Sequence, residues 1–199
     1  MICDVDTRIW SSRDDLGPVL GPLVRRLTAD RTTFDASEDA HATAMKPVAR
    51  AFVLGFRARR LRCEFPNEAV AAAARSRPDR LIGIAGIDPL SPTWREELDR
   101  ALDLGLSGVT VSPSFQGCPP THSQAMRLWE RCLEKSLPVI VSRPTPLPQE
   151  AILEYDRPTH WDETLRSLPS LRVVFASLGA PYVEETLLLL AKFPRVFAH

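Results

Sequence analysis

The sequence lacks an excess of charge of either sign. Its 25 lysines and arginines balance 25 aspartates and glutamates, so the formal net charge is zero. A zero net charge creates no long-range field toward nucleic acid or an anionic membrane surface. The local exception is the basic run RARRLR, residues 57–62, which we interpret as a solvated helix or loop edge. We therefore expect neither nucleic acid nor a membrane as a partner.

Long apolar runs and clustered thiols are also missing. No stretch reaches the roughly 18 apolar residues that cross a bilayer, and the opening letters MICDVD lack the charged-then-apolar layout of a signal peptide. The four cysteines are widely and irregularly spaced, and no histidine stands at ligand spacing from them. This excludes a zinc ribbon or a small disulfide scaffold. We expect a cytoplasmic protein whose thiols are reduced.

Glycine is scarce relative to proline, with nine glycines against 18 prolines. The prolines stand singly at the ends of apolar runs, where proline ends strands and starts helices. The hydrophobic content of 44% and the charged content of 25% are those of an ordinary soluble domain. We predict one domain over residues 1–199.

One complete strand–helix–strand unit is visible in the middle of the chain. Leu81 to Ile87 is a nearly continuous apolar run, typical of a strand buried on both faces. Ser91 is placed to cap a helix that ends before Gly105, and Gly108 to Ser112 is a second apolar run. Two buried strands joined by an amphipathic helix are parallel.

The same alternation continues along the rest of the chain. Seven apolar runs lie near residues 2–6, 50–56, 81–87, 108–112, 138–142, 172–177 and 195–199. Their even spacing predicts an α/β protein with an incomplete, TIM-barrel-like parallel (β/α) barrel of about seven strands. Thr7 to Lys46 is predicted as a long loop with a helix or two, in which LGPVLGPL, residues 16–23, breaks any helix.

Several landmarks in the later part of the chain are specific in combination. They are Pro-Asn-Glu before a helix at 66–68, Pro-Asp-Arg-x-x-Gly at 78–83 with Asp-Pro at 88–89, Gly-Val-x-x-x-Pro at 108–113 and Ser-Leu-Gly-x-Pro at 177–181. With them, most of residues 49–199 resembles the amidohydrolase-related TIM-barrel family. That family includes metal-dependent hydrolases and decarboxylases of the aminocarboxymuconate-semialdehyde type.

The resemblance implies an active site at the carboxyl ends of the strands, built on a divalent metal held mainly by histidines. This chain carries other residues at the matching positions. They are Asp4 and Asp6 on the first strand, Thr110 and Ser112 on the fourth, Ser142 on the fifth and Ser177 on the sixth. Arg143 stands beside Ser142 and is a candidate for binding a small anion. These seven residues form our candidate pocket, and no catalytic residue is assigned.

The replacement of the histidines decides the functional prediction. Serine hydroxyls are poor ligands for zinc, and Asp4 and Asp6 alone are weak candidates for a metal site. We therefore predict a degenerate, non-catalytic member that needs no cofactor and acts as a binding, regulatory or assembly subunit. The alternative is a hydrolase or decarboxylase of C–N or C–C bonds with a rearranged site and a zinc, manganese or magnesium ion. A Ser-His-Asp hydrolase site that uses His199 is not supported, because the sequence has no Gly-x-Ser-x-Gly turn.

The matched pattern has no counterpart of the family's eighth strand. Seven strands leave two edges, Ile2 to Asp6 and Arg195 to His199, and unpaired edges invite pairing. Pairing of the two edges with each other or cover from Thr7 to Lys46 would also close the sheet. We favour a partner: a homo-oligomer or a complex with a full-length relative, with a small molecule as a further ligand.

Overall fold

Seven short parallel strands form the central sheet of the computed structural model, which describes residues 2–10, 16–27, 36–144 and 146–199. Numbered in chain order, the strands of the described residues are β1 (Cys3–Thr7), β2 (Arg50–Leu54), β3 (Phe56–Ala58), β4 (Cys63–Phe65), β5 (Leu81–Gly86), β6 (Val109–Val111), β7 (Val139–Val141), β8 (Val173–Phe175) and β9 (Val196–Ala198), of which β3 and β4 lie outside the central sheet. The order in the sheet is β1-β2-β5-β6-β7-β8-β9. The sheet curls into an incomplete barrel, which confirms the predicted fold class.

The two faces of the sheet have different partners, as expected for strands buried on both sides. Val139 pairs with Val109 and Val173, and this row packs against the surrounding helices. The alternate row contains Ile140, which lies inside the curl with Leu54 and Ile84. The barrel therefore has a small apolar interior and a larger apolar layer beneath its helices.

Helices connect the successive strands of the sheet. They are α1 (Gly17–Leu27), α2 (Glu38–Ala44), α3 (Asn67–Ser76), α4 (Trp94–Asp103), α5 (Pro113–Gln116), α6 (Ser123–Glu134), α7 (Asp162–Ser167) and α8 (Val183–Lys192). Short 3₁₀ turns occupy residues 59–61, 153–156, 158–161 and 176–179. Among the described residues, no helix has both the length and the apolar character needed to cross a bilayer.

Helix α1 contradicts the prediction that residues 16–23 break any helix. Leu16, Leu20 and Val24 are spaced by four residues and are all buried on one side of this segment. Pro22 lies inside the helix on its exposed side, where it removes the bond to the carbonyl four residues earlier and crowds that carbonyl. The prediction was wrong because the apolar period prevailed over the proline penalty.

A two-stranded antiparallel hairpin, β3 with β4, was not predicted. The predicted strand 50–56 ends at Leu54. The next residue, Gly55, packs so closely on Gly86 that a Cβ would lie 2.5 Å from the Gly86 nitrogen, so only glycine fits there. The basic run then turns the hairpin, with Arg62 in the left-handed region at φ 47°. The hairpin folds over the carboxyl ends of the barrel strands that precede and follow it.

Candidate functional site

Three side chains from opposite sides of the curled sheet meet at the carboxyl ends of β1 and β7. Arg8 donates from Nη1 to Asp6 Oδ1 at 2.9 Å and from Nη2 to Ser142 Oγ at 2.7 Å. Ser142 Oγ in turn donates to the Asp6 carboxylate, 3.0 Å from both oxygens. The ion pair is mostly buried, with side-chain exposures of 16% for Arg8 and 14% for Asp6. We call Asp6, Arg8 and Ser142 the mouth triad.

Asp4 does not join the mouth triad through its side chain. The register of β1 against β2 shifts between Asp4 and Thr7, which interrupts the strict two-residue alternation that predicted a shared face. The Asp4 carboxylate accepts a hydrogen bond from the Asp6 backbone N–H at 3.1 Å. Asp4 therefore supports the backbone that presents Asp6.

Thr110 of β6 and Ser112, which follows that strand, are buried beside the mouth triad. Thr110 pairs with Ile140 of the barrel interior, and Ser112 follows the strand next to Ser142. Neither hydroxyl has a hydrogen-bond partner within the described residues. Ser112 is held through its backbone N–H, which donates to Gln116 Oε1 at 3.1 Å.

Arg143 contacts a second buried carboxyl group at the same end of the barrel. Its Nη1 lies 3.4 Å from Asp156 Oδ2, and its Nη2 donates to the Ala180 carbonyl at 3.0 Å. Burial raises the pKa of Asp156, although the N–H of Ser114 and the charge of Arg143 oppose that shift. A cavity of about 30 Å³ lies between these groups and Ser142, large enough for about one water molecule.

Ser177 is not brought to this cluster. It is exposed, with φ 50°, in a left-handed turn after β8, and its side chain has no hydrogen bond within the described residues. The candidate pocket is therefore divided. Asp6 and Ser142 touch, Thr110 and Ser112 lie beside them, Arg143 faces Asp156, and Ser177 faces away.

An apolar cluster covers the mouth of the barrel. Phe56 follows β2, Phe115 follows β6, and their rings meet edge to face at 5.6 Å between centroids. Leu16 and Leu20 pack on this pair, together with Phe65 of the hairpin. We call these five residues the mouth cap. Because parallel strands share one carboxyl end, the mouth cap fills space over the end where barrel enzymes build their sites.

Sequence reasoning missed three residues that organise the mouth. Arg8 stands two positions after Asp6, and its position in the sequence does not predict a contact with Ser142. Gln116 donates to the carbonyls of Arg57 and Ile87, both at 2.8 Å, and so ties the hairpin to β5. Asp88 accepts from the N–H groups of Arg59 and Leu90, while burial raises its pKa. The Asp-Pro pair at 88–89 served in the sequence only as a family landmark, without a predicted contact for the Asp88 side chain.

The donor atoms at the mouth do not fit a divalent metal. Within the described part of the chain, no three His, Cys, Asp or Glu side chains come close enough to hold one ion. The Asp6 carboxylate is already engaged by Arg8 and Ser142. The Asp4 carboxylate accepts from the Asp6 backbone N–H, and the Asp156 carboxylate pairs with Arg143. The other oxygens belong to neutral hydroxyls, which bind zinc or manganese poorly at neutral pH.

The comparison with protein families is decisive for classification. The amidohydrolase family model matches residues 3–199. The chain belongs to the amidohydrolase family. This confirms the resemblance inferred from the sequence landmarks. No curated protein sequence matches this amidohydrolase-family chain at a significant level.

Solved structures share the fold with this amidohydrolase-family chain. An uncharacterized TIM-barrel protein from Bordetella bronchiseptica is similar with a TM-score of 0.78 and 20% identity, over 99% of this chain and 74% of that one. A zinc-bound amidohydrolase from Burkholderia multivorans has a TM-score of 0.68 and 14% identity, with 100% and 68% covered. The manganese-bound 5-carboxyvanillate decarboxylase from Novosphingobium aromaticivorans has a TM-score of 0.64 and 16% identity, with 96% and 69% covered.

Proposed function

We propose that this chain is a degenerate, non-catalytic amidohydrolase that acts as a binding, regulatory or assembly subunit. The observation that carries the proposal is the position of Arg8. Its guanidinium group lies against Asp6, the first-strand carboxylate at a position where the family's typical members present a metal-binding histidine. Arginine remains protonated throughout the physiological pH range. The mouth therefore has a permanent cation of its own.

Electrostatics opposes a second cation at this carboxylate. Two unit charges 4 Å apart repel by about 4 kcal/mol at the effective dielectric constant of a protein surface, so a divalent ion at that distance from Arg8 meets about 8 kcal/mol of repulsion. The Asp6 carboxylate is already shared with Arg8 and Ser142, so an incoming ion would have to compete with both of them for its oxygens. Binding of a metal ion at Asp6 would first require Arg8 to move away.

The mouth cap supports the same proposal. Phe56 and Phe115 are fully buried where a substrate of the barrel would enter. A cavity of about 160 Å³ remains between Arg8, Trp10, Leu16, Phe65 and other residues beside the cap. A small ligand held there would contact apolar walls and one guanidinium group. This is the space in which a binding role would operate.

The alternative proposal is a decarboxylase or hydrolase with a rearranged site. The observation in its favour is Asp156, a buried carboxyl with a raised pKa that faces Arg143 at the mouth. A carboxyl group whose pKa is raised is better suited to holding and donating a proton than an unperturbed one. The structural similarity to 5-carboxyvanillate decarboxylase agrees with this class of reaction.

Metal content separates the two proposals. Wild-type protein produced with added zinc and manganese is analysed by inductively coupled plasma mass spectrometry, beside an Asp6→Asn variant. We expect less than about 0.2 equivalents of either metal in both proteins, because no complete ligand set is present. Close to one equivalent in the wild type, lost in Asp6→Asn, would overturn the non-catalytic proposal.

A further inference from the structure

Helix α2 is fixed to the barrel by one buried side chain. Of its seven residues, Glu38–Ala44, His41 alone is buried, with 7% of its surface exposed. The apolar residues of the helix are alanines, which bury little surface, and a helix of two turns has little stability of its own. The contact that His41 makes therefore decides whether α2 stays on the barrel.

The hydrogen bonds around His41 fix the position of its proton. Thr7 Oγ1 donates to the Phe52 carbonyl at 2.6 Å, which uses the single hydrogen of that hydroxyl. Thr7 Oγ1 lies 3.0 Å from His41 Nε2 and must accept there, so Nε2 carries the hydrogen of the neutral ring. His41 Nδ1 is then a buried acceptor without a partner in the described part of the chain. A second proton on the ring would have to sit on this nitrogen.

The surroundings of His41 oppose that second proton. It would turn Nδ1 into a charged donor that is buried without an acceptor, which is costly. Burial lowers the pKa of His41, and the positive charge of Arg77, at the end of α3, lowers it further. The Asp4 carboxylate on β1 acts in the opposite direction, and Glu38 and Asp39 in the first turn of α2 are exposed to solvent. The closed position of α2 therefore requires a neutral histidine.

The chain on either side of α2 is held by hydrogen bonds that do not involve His41. Trp10 donates from its backbone N–H to the Ala36 carbonyl at 2.9 Å, and Arg80 Nη2 donates to the Met45 carbonyl at 2.7 Å. Neither bond contains a group that titrates between about pH 5 and 8. Loss of the His41 contact therefore frees residues 37–44 and leaves this segment attached at both ends.

We propose that protonation of His41 releases helix α2 from the barrel while the central sheet stays folded. In the released state the imidazolium is hydrated, and Thr7 and its flank of β1, the first strand in the sheet order, are open to solvent. The open state contains a histidine with an ordinary pKa of about 6.5, so opening becomes easier below that pH, by at most about tenfold per pH unit. This switch does not depend on whether the barrel mouth is catalytic.

The experiment is native-state hydrogen exchange of the whole chain, measured by NMR spectroscopy at pH 7.5 and 5.5 and corrected for the intrinsic pH dependence of exchange. The His41 and Met45 amides donate within the α2 segment, to the carbonyls of Ser37 and His41. Their protection should fall by about three- to tenfold between the two pH values. It should not change in urea up to about 1 M, because local opening exposes little surface, whereas the protection of the β7 amides should fall with urea.

Matched variants assign the effect to His41. In His41→Gln and His41→Ala the protection of α2 should not depend on pH, and in His41→Ala it should be lower than in the wild type at pH 7.5. His122→Gln, which removes a histidine at the start of α6, should respond to pH like the wild type. Wild-type α2 protection that changes less than about twofold would overturn the proposal. A wild-type-sized loss in His41→Gln would overturn it too, as would a loss that follows the urea dependence of β7.

Discussion

Replacement of Arg8 by alanine is the sharpest test of the mouth triad. The change removes a guanidinium group that donates to Asp6 at 2.9 Å and to Ser142 at 2.7 Å. It leaves a carboxylate with only 14% of its side chain exposed and without its counter-ion. Removal of one partner from a buried pair typically costs 3–5 kcal/mol; because this pair is partly exposed, we expect about 2–4 kcal/mol.

The assay is equilibrium urea unfolding of three variants. Arg8→Ala should lower the unfolding free energy by about 2–4 kcal/mol, equivalent to a melting-temperature decrease of roughly 4–16 °C for a chain of this size. Asp6→Asn/Arg8→Ala should be more stable than Arg8→Ala alone, because the unpaired charge is gone. Arg100→Ala is the control, since its pair with Glu68 is largely exposed and should contribute less than about 1 kcal/mol.

Two outcomes would refute this reasoning. One is an Arg8→Ala variant within about 0.5 kcal/mol of the wild type, which would show that the triad is a surface contact. The other is a double variant less stable than Arg8→Ala, which would show that Asp6 is stabilised by groups other than Arg8. Either outcome would also remove the main support for the permanent cation at the mouth.

Two further predictions concern pH and the mouth cap. Burial, followed by the charge of Arg77, lowers the pKa of His41, whose Nε2 lies 3.0 Å from Thr7 Oγ1. As pH falls, His41 therefore takes up its proton in the unfolded chain before it does so in the folded one. The unfolding free energy should decrease below about pH 6.5, by at most ~1.4 kcal/mol per pH unit. Urea unfolding at pH 7.5 and 5.5 should show a smaller decrease for His41→Gln than for the wild type. Phe115→Ala should cost about 3–5 kcal/mol in the same assay, whereas exposed Phe197→Ala should cost less than about 1; equal costs would contradict the mouth cap.

The strands of the barrel were predictable because their signal is local. Each is a short apolar run ended by proline, glycine or a polar residue. A run of this length that is apolar throughout is typical of a strand buried on both faces of a parallel sheet. The predicted run 108–112 corresponds to β6, Val109–Val111, and the run 138–142 to β7, Val139–Val141. The Pro-Asn-Glu landmark at 66–68 was expected to precede a helix, and helix α3 is Asn67–Ser76.

The site was harder to predict because its contacts are distant in sequence. Arg8 and Ser142 are 134 positions apart, and a shift in the register of β1 decides which side chains face inward. Ser177 was assigned by position after its strand, but the left-handed turn at φ 50° directs it to solvent. Matching to a family pattern locates strand ends, whereas backbone irregularities decide where each side chain points.

The same separation has a consequence for synthesis on the ribosome. The apolar side of α1 packs on the hairpin and on Phe115, and Asp6 has no Ser142 to bind until 136 positions later. At 5–20 residues per second, the first strand waits roughly 7–27 s for its partner. During that interval Asp6 and Arg8 lack the Ser142 hydroxyl that joins them across the mouth. The long-range tie that completes the mouth therefore forms only after most of the barrel strands have been made.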